Sequence, residues 1–287
     1  MIKPFGAFIA CLAIVSCSSI SNHVSSPPSS AMNQNHSVMQ GKASRFSPVS
    51  ILNGITKKDF TLKHDIAYGQ DPRQKLDVYM PLAQASSRLA KPVILFVYGG
   101  AWTTGHKDDY LFVGESFSKA GYVTVVMNYR LAPQHQYPEY VQDTASALKW
   151  INDNIQHYGG DPKQIVVMGH SAGAFNVVEA VDNRRWLDEV KLPISNIKAV
   201  VGIAGPYSYD FRTDGSVNAF PTDATPDQVM PDRHIRADAP PHLLLTASND
   251  QRVKLSNTQK MAAALKKYGR KVIKASTRNS VPAVIAT

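Results

Sequence analysis

The stretch Gly169-His170-Ser171-Ala172-Gly173 places one serine hydroxyl among small residues. Such a hydroxyl attacks a carbonyl only if a base takes its proton and donors receive the charge that develops. The surroundings suit that chemistry. An apolar run, 165–168, precedes the motif and a helix-forming stretch follows it from Ala172. In that context Gly-x-Ser-x-Gly reads as a strained strand–turn–helix elbow that lifts the serine above the sheet edge. The amide of Ala172 falls at the helix start, where N–H groups have no intrahelical partner and the dipole favours anions. A second motif, Tyr98-Gly99-Gly100-Ala101-Trp102, follows the apolar run 93–98. Consecutive glycines there leave backbone N–H groups uncovered, ready to aim at a developing negative charge. The plainer readings are an idle serine on a Gly-rich turn and an ordinary Gly-Gly turn. Counted from the strand that precedes the Gly-Gly motif, one strand–helix–strand–helix–strand leads to the elbow, and that placement favours the chemical reading.

An elbow serine is followed along the chain by an Asp or Glu and then a His. Asp250 fits the acid, after the apolar run 242–246, in Ala247-Ser248-Asn249-Asp250-Gln251-Arg252-Val253. Asp and Asn also favour turns in their own right, so a plain surface turn stays open. The His should follow a last strand at 271–274. The last histidine is His242, and the expected place reads Ala275-Ser276-Thr277-Arg278-Asn279-Ser280-Val281-Pro282. A base must lie within hydrogen-bond reach of Ser171. His170 sits at the x position of the elbow, His106 and His135 in loops on the oxyanion side, and His157 at a helix end. His64 and His234 have no motif context, so the triad base is unassigned.

These motifs resemble carboxylesterases of the hormone-sensitive-lipase type. Tyr98 to Trp102 is similar to their His-Gly-Gly-x-Trp loop, with Tyr98 in place of the His. Tyr129-Arg130-Leu131-Ala132-Pro133 and Tyr158-Gly159-Gly160-Asp161-Pro162 resemble two further segments. Tyr68-Gly69 with Gln74-Lys75-Leu76-Asp77-Val78-Tyr79 resembles the entry to bacterial feruloyl-esterase-like members. The likeness runs from about residue 68 to 274. It implies an α/β-hydrolase fold, no metal or other cofactor, and an oxyanion hole from Gly100, Ala101 and Ala172. It also implies a His loop and a last helix that do not follow here. Loss of that helix, a frameshifted or truncated end and an aberrant tail at 275–287 are therefore expected. The activity implied is carboxylic ester hydrolysis through Ser171 on a small-molecule ester. An aryl-formamidase-like hydrolase and a catalytically inactive hydrolase are the alternatives.

The elements that must position these residues alternate. Strand-like runs fall at 76–80, 93–98, 123–128, 165–168, 199–204, 242–246 and 271–274. Helix-like stretches fall at 110–120, 137–158, 172–181 and 254–268. Alternation of this kind implies an α/β domain with a mostly parallel sheet and helices on both faces. The segment 207–240 lacks periodicity and reads equally as a cap, a lid or a plain loop.

Composition fits a globular body, with 44% hydrophobic and 18% charged residues. The only cysteines, Cys11 and Cys17, exclude a disulfide framework in that body. Residues 1–16 have a short basic start and an apolar stretch, the pattern of a signal peptide. Ile14-Val15-Ser16-Cys17 resembles the bacterial lipobox, which implies lipidation of Cys17. Residues 17–50, rich in Ser, Asn and Pro and free of Asp and Glu, read as a flexible tether to a domain at 51–287. The expected location is the bacterial cell envelope, held to the membrane by the lipid, or else secretion as a soluble protein. The net charge is +9, with a denser run at Lys266, Lys267, Arg270, Lys271, Lys274 and Arg278. No zinc-ligand spacing and no basic helix with interleaved aromatics accompany it, so nucleic-acid binding is not expected. Oligomeric state is not legible.

Overall fold

The structure, a computed structural model, describes residues 52–54, 56, 59–82 and 89–277. The expected signal peptide, Cys17 and the whole tether to residue 50 lie outside these residues, as do residues 278–287. Among the described residues no helix is long and apolar enough to cross a membrane.

Eight strands form one sheet in the order β1-β2-β4-β3-β5-β6-β7-β8. They are β1 (Phe60–Ala67), β2 (Lys75–Pro81), β3 (Lys91–Val97), β4 (Val123–Met127), β5 (Gly160–His170), β6 (Ile197–Ile203), β7 (His242–Ala247) and β8 (Val272–Thr277). β2 runs antiparallel to both β1 and β4, and the remaining pairs are parallel. Every residue of β4 is buried, which requires cover on both faces of the sheet. The helices are α1 (Leu111–Lys119), α2 (Glu139–Asn154), α3 (Ala172–Asp182), α4 (Arg184–Glu189), α5 (Pro226–Val229) and α6 (Leu255–Lys267). α1 packs on β2 and β4, α2 and α3 pack on each other and on β5, and α6 packs on β7 and β8. This is the α/β-hydrolase arrangement.

Several expectations need correction. β1 lies outside the expected strands, although Phe60, Leu62 and Ile66 alternate with polar residues in it; Phe60 is buried, Leu62 and Ile66 are half-buried, and the strand pairs with β2. The expected helix 137–158 starts one residue after Pro138 and tightens into a 3-10 turn at Ile155–Tyr158. Gly159, at φ 77°, reverses the chain there. Ala275, Ser276 and Thr277 do not begin an aberrant tail. They extend β8, with Ser276 opposite Thr246 and Thr277 opposite Ala247. The 207–240 segment has local structure that its lack of periodicity does not announce. It folds as 3-10 turns and the single-turn α5 and buries Tyr207, Phe211, Phe220 and Met230.

Candidate active site

Ser171 stands where β5 ends and α3 begins, at φ 52° and ψ −123°, a backbone state that non-glycine residues avoid. Three contacts hold it there. Its N–H donates to the Ile203 carbonyl of β6 at 2.8 Å, and its own carbonyl accepts from Ala174 and Phe175. The flanking glycines are sterically required. A Cβ on Gly169 would stand 2.2 Å from the Gly173 carbonyl oxygen, and one on Gly173 2.1 Å from that of Val97. Strand, elbow and helix therefore pack backbone to backbone. Ala172 is the first residue of α3, so its N–H is free of the helix ladder.

The loop after β3 is pressed against this elbow. A Cβ on Gly99 would lie 2.8 Å from Ser171 Cβ and 3.1 Å from His170 Nδ1. Gly100, Ala101 and Trp102 all have positive φ, at 131°, 49° and 62°. The Gly100 carbonyl closes the turn by accepting from the Thr103 and Thr104 amides at 3.0 and 3.1 Å. Trp102 pins the loop to α3. Its indole N–H donates to Asn176 Oδ1 at 2.8 Å, and its ring lies edge-on to Phe175 and Phe220. The Trp102 carbonyl accepts from the Ala132 amide at 2.9 Å, which is the structural task of the Tyr-Arg-Leu-Ala-Pro segment.

Behind the loop lies a network only partly visible in the sequence. The Tyr98 hydroxyl accepts from Arg73 Nη2 at 2.8 Å and faces Asn128 Oδ1 at 2.8 Å and the Gly105 carbonyl at 3.2 Å. Burial pushes its pKa far up, so it remains a neutral donor. Arg73 also donates to the carbonyls of Gly105 and Tyr129. The Tyr129 hydroxyl donates to the Tyr98 carbonyl at 3.1 Å. Arg73, Asn128 and Asn176 were missed because they lie outside the matched motifs; only the fold gathers them.

Asp250 follows β7, two strands from β5, at the same C-terminal end of the parallel sheet. Its Oδ1 accepts from the Arg252 and Val253 amides, both at 2.9 Å, which fixes the carboxylate orientation. Its charge acts on His170, whose imidazole is pulled down to about 4 by burial and only partly pulled back by Asp250. His170 is therefore neutral at neutral pH, and its Nδ1 is buried without a hydrogen-bond partner. Of the other candidate bases, His157 lies exposed in the 3-10 turn Ile155–Tyr158, and the remaining described histidines have different companions. His64, His106, His135, His234 and His242 face Asp77, Asp108, Glu139, Glu179 and Asp182. None of them bonds Asp250 or Ser171 among the described residues. No group of three or more His, Cys, Asp or Glu side chains among those residues could hold a metal ion. A cavity of ≈ 200 Å³ lies among Ser208, Tyr209, Asp210, Pro226, Met230, Arg233 and Lys260, and neither Ser171 nor Asp250 lines it.

The BD-FAE family model matches residues 76–265, from β2 into α6. The chain belongs to the BD-FAE family. Among relatives of this BD-FAE member is the Isoprenylcysteine alpha-carbonyl methylesterase ICME of Arabidopsis thaliana, 32% identical over 51% of this chain and 35% of that protein. Esterase LipC of Mycobacterium tuberculosis is 28% identical over 70% of this chain and 54% of that protein. The BD-FAE chain thus spans from a third to about half the length of these curated relatives. In fold it is similar to Esterase B from Lactobacillus Rhamnosis, with a TM-score of 0.67 at 18% identity over 79% of this chain and 78% of that one. A thermophilic esterase from Thermogutta terrifontis gives 0.62 at 24% identity over 76% and 81%.

Proposed function

We propose that the chain is a carboxylic ester hydrolase that works through an acyl-enzyme on Ser171. The observation that carries this is the strained Ser171 backbone set between the α3 N-terminus and the positive-φ loop Gly100–Trp102. A base removes the hydroxyl proton and Ser171 Oγ adds to the ester carbonyl. The oxyanion is received by the N–H groups of Gly100, Ala101 and Ala172. The alcohol leaves with the proton, and water cleaves the acyl-enzyme. Asp250 is the acid of the set. The esterase names of the relatives support the reaction class. Among the described residues no histidine bonds Ser171 or Asp250, and this favours slow turnover or a ligand-binding hydrolase fold as the second reading. Loss of one triad member leaves a residual of roughly 10³–10⁴ over water.

The test is labelling by a fluorophosphonate probe, with hydrolysis of short-chain aryl esters and aryl formamides alongside and Ser171→Ala as control. Slow labelling and ester turnover that both vanish in the control are expected. Absence of any Ser171-dependent signal would sink the hydrolase reading and leave the binding one. We further propose export with lipidation at Cys17, motivated by Ile14-Val15-Ser16-Cys17. A clickable palmitate should label the wild type and not Cys17→Ser; equal labelling refutes it.

A further inference from the structure

The chain's charge is unevenly placed. After Asp250 there is no Asp or Glu, and nine Lys and Arg residues follow, which equals the whole formal excess of +9. Residues 1–250 are therefore balanced. Among the described residues of that part several surface cations have an acidic partner, as in Lys119–Glu115, Arg184–Asp188, Arg185–Glu189 and Arg212–Asp210. By contrast Lys266, Lys267, Lys271 and Lys274 are exposed and have no ion-pair partner among the described residues. They gather at the corner where α6 ends, Gly269 reverses the chain at φ 67°, and β8 begins. Arg270, in the same turn, donates to the Ala239 carbonyl. The neighbouring acid, Asp238, is already held by Arg236. Two large apolar side chains stand exposed in this patch, Tyr268 at 46% and Ile273 at 56%.

Ordinary structural roles account for part of this. A helix C-terminus favours a cation or two, and lysines on an edge strand discourage pairing with other chains. Neither role asks for a complete lack of acids, nor for an exposed tyrosine and isoleucine among the lysines. Cations mixed with an interfacial aromatic and an aliphatic side chain match the headgroup layer of a membrane bearing anionic lipids. We propose that the α6–β8 corner docks on an anionic lipid surface. The corner leads into the N-terminal end of β8, whereas Ser171 and Asp250 lie at the C-terminal end of the parallel strands. Docking therefore turns the candidate active site away from the membrane. The inference does not depend on the ester-hydrolase reading.

The test uses the full chain with Cys17→Ser, so that no lipid is attached. It is sedimented with phosphatidylcholine vesicles with and without phosphatidylglycerol, and titrated against duplex DNA. Anionic vesicles should bind it far more tightly than neutral ones, and high salt should abolish the difference. The triple variant Lys266→Gln/Lys267→Gln/Lys271→Gln should weaken anionic binding by roughly five-fold per lysine. Lys163→Gln/Lys191→Gln/Lys198→Gln, equal in charge change and exposed elsewhere, should leave it unchanged. Equal binding to both vesicle types, equal loss in the two triple variants, or tighter binding to DNA than to anionic vesicles at the same salt overturns the proposal.

Discussion

Gly173→Ala offers a demanding check on how the elbow is built. Helix propensity alone says that alanine in place of a helical glycine stabilises by about 1 kcal/mol. The packing around Gly173 says the opposite. The new Cβ would sit 2.1 Å from the Val97 carbonyl oxygen and 2.4 Å from that of Tyr98. Both are backbone atoms, and Val97 is paired to Met127 on one side and Gly169 on the other. The strand cannot yield, so α3 must retreat by on the order of 1 Å to reach ordinary contact. Overpacking of this kind costs about 1–3 kcal/mol, and rigid backbone neighbours put it at the top of that range. The net expectation is a loss of about 2 kcal/mol, which lowers the melting temperature by roughly 4–8 °C in a domain of this size. Calorimetric scans at one fixed rate measure it. Gly215→Ala is the control, because its Cβ meets nothing within 4 Å and its φ is not positive. That variant should melt at or slightly above the wild type. A Gly173→Ala protein that melts as high as the parent refutes the backbone-to-backbone account of the elbow.

Two further outcomes follow from the site. Tyr98→Phe removes a hydroxyl that accepts from Arg73 and faces Asn128, so it should cost about 1–3 kcal/mol of stability and slow Ser171 labelling. Urea unfolding and labelling time courses report both, and unchanged values in both count against Tyr98 as the loop's anchor. His170 is held near 4 by burial in the folded chain, against an unfolded value near 6.5. The unfolded state therefore binds this proton first, so stability is intact above about pH 6.5 and drains as the pH falls toward 4, by at most about 3 kcal/mol. His170→Gln should lose less stability than the wild type between pH 7 and pH 5 in urea titrations. His234 and His242 shift upward and act in the opposite sense, so parallel slopes in the two proteins, not a slope as such, are the refuting result.

The sequence by itself determined the elbow, because Gly-x-Ser-x-Gly reflects a local steric demand. Gly169 and Gly173 are glycines for reasons that neighbouring backbone imposes, and the adjoining apolar runs of β3, β4 and β5 reflect burial on both faces. It also determined the succession of strands β2 to β8 and of the helices α1, α2, α3 and α6, since period and breakers are local signals, but not the short α4 and α5. Tertiary structure decided the rest. β1 is an edge strand, and only its pairing with β2 fixes the alternating Phe60, Leu62 and Ile66 in place. The 207–240 segment has no period because it is held by single anchors, such as Phe220 against Trp102 and Phe211. Asp143 binds Arg130, Lys107 binds Asp65 and Asp77, and Arg73 reaches Tyr98 only because distant segments converge. Convergence of this kind leaves no spacing to read. The same holds for the meaning of His170. Its place beside Ser171 is evident in the sequence, while its neutral state follows from burial that only the folded chain supplies.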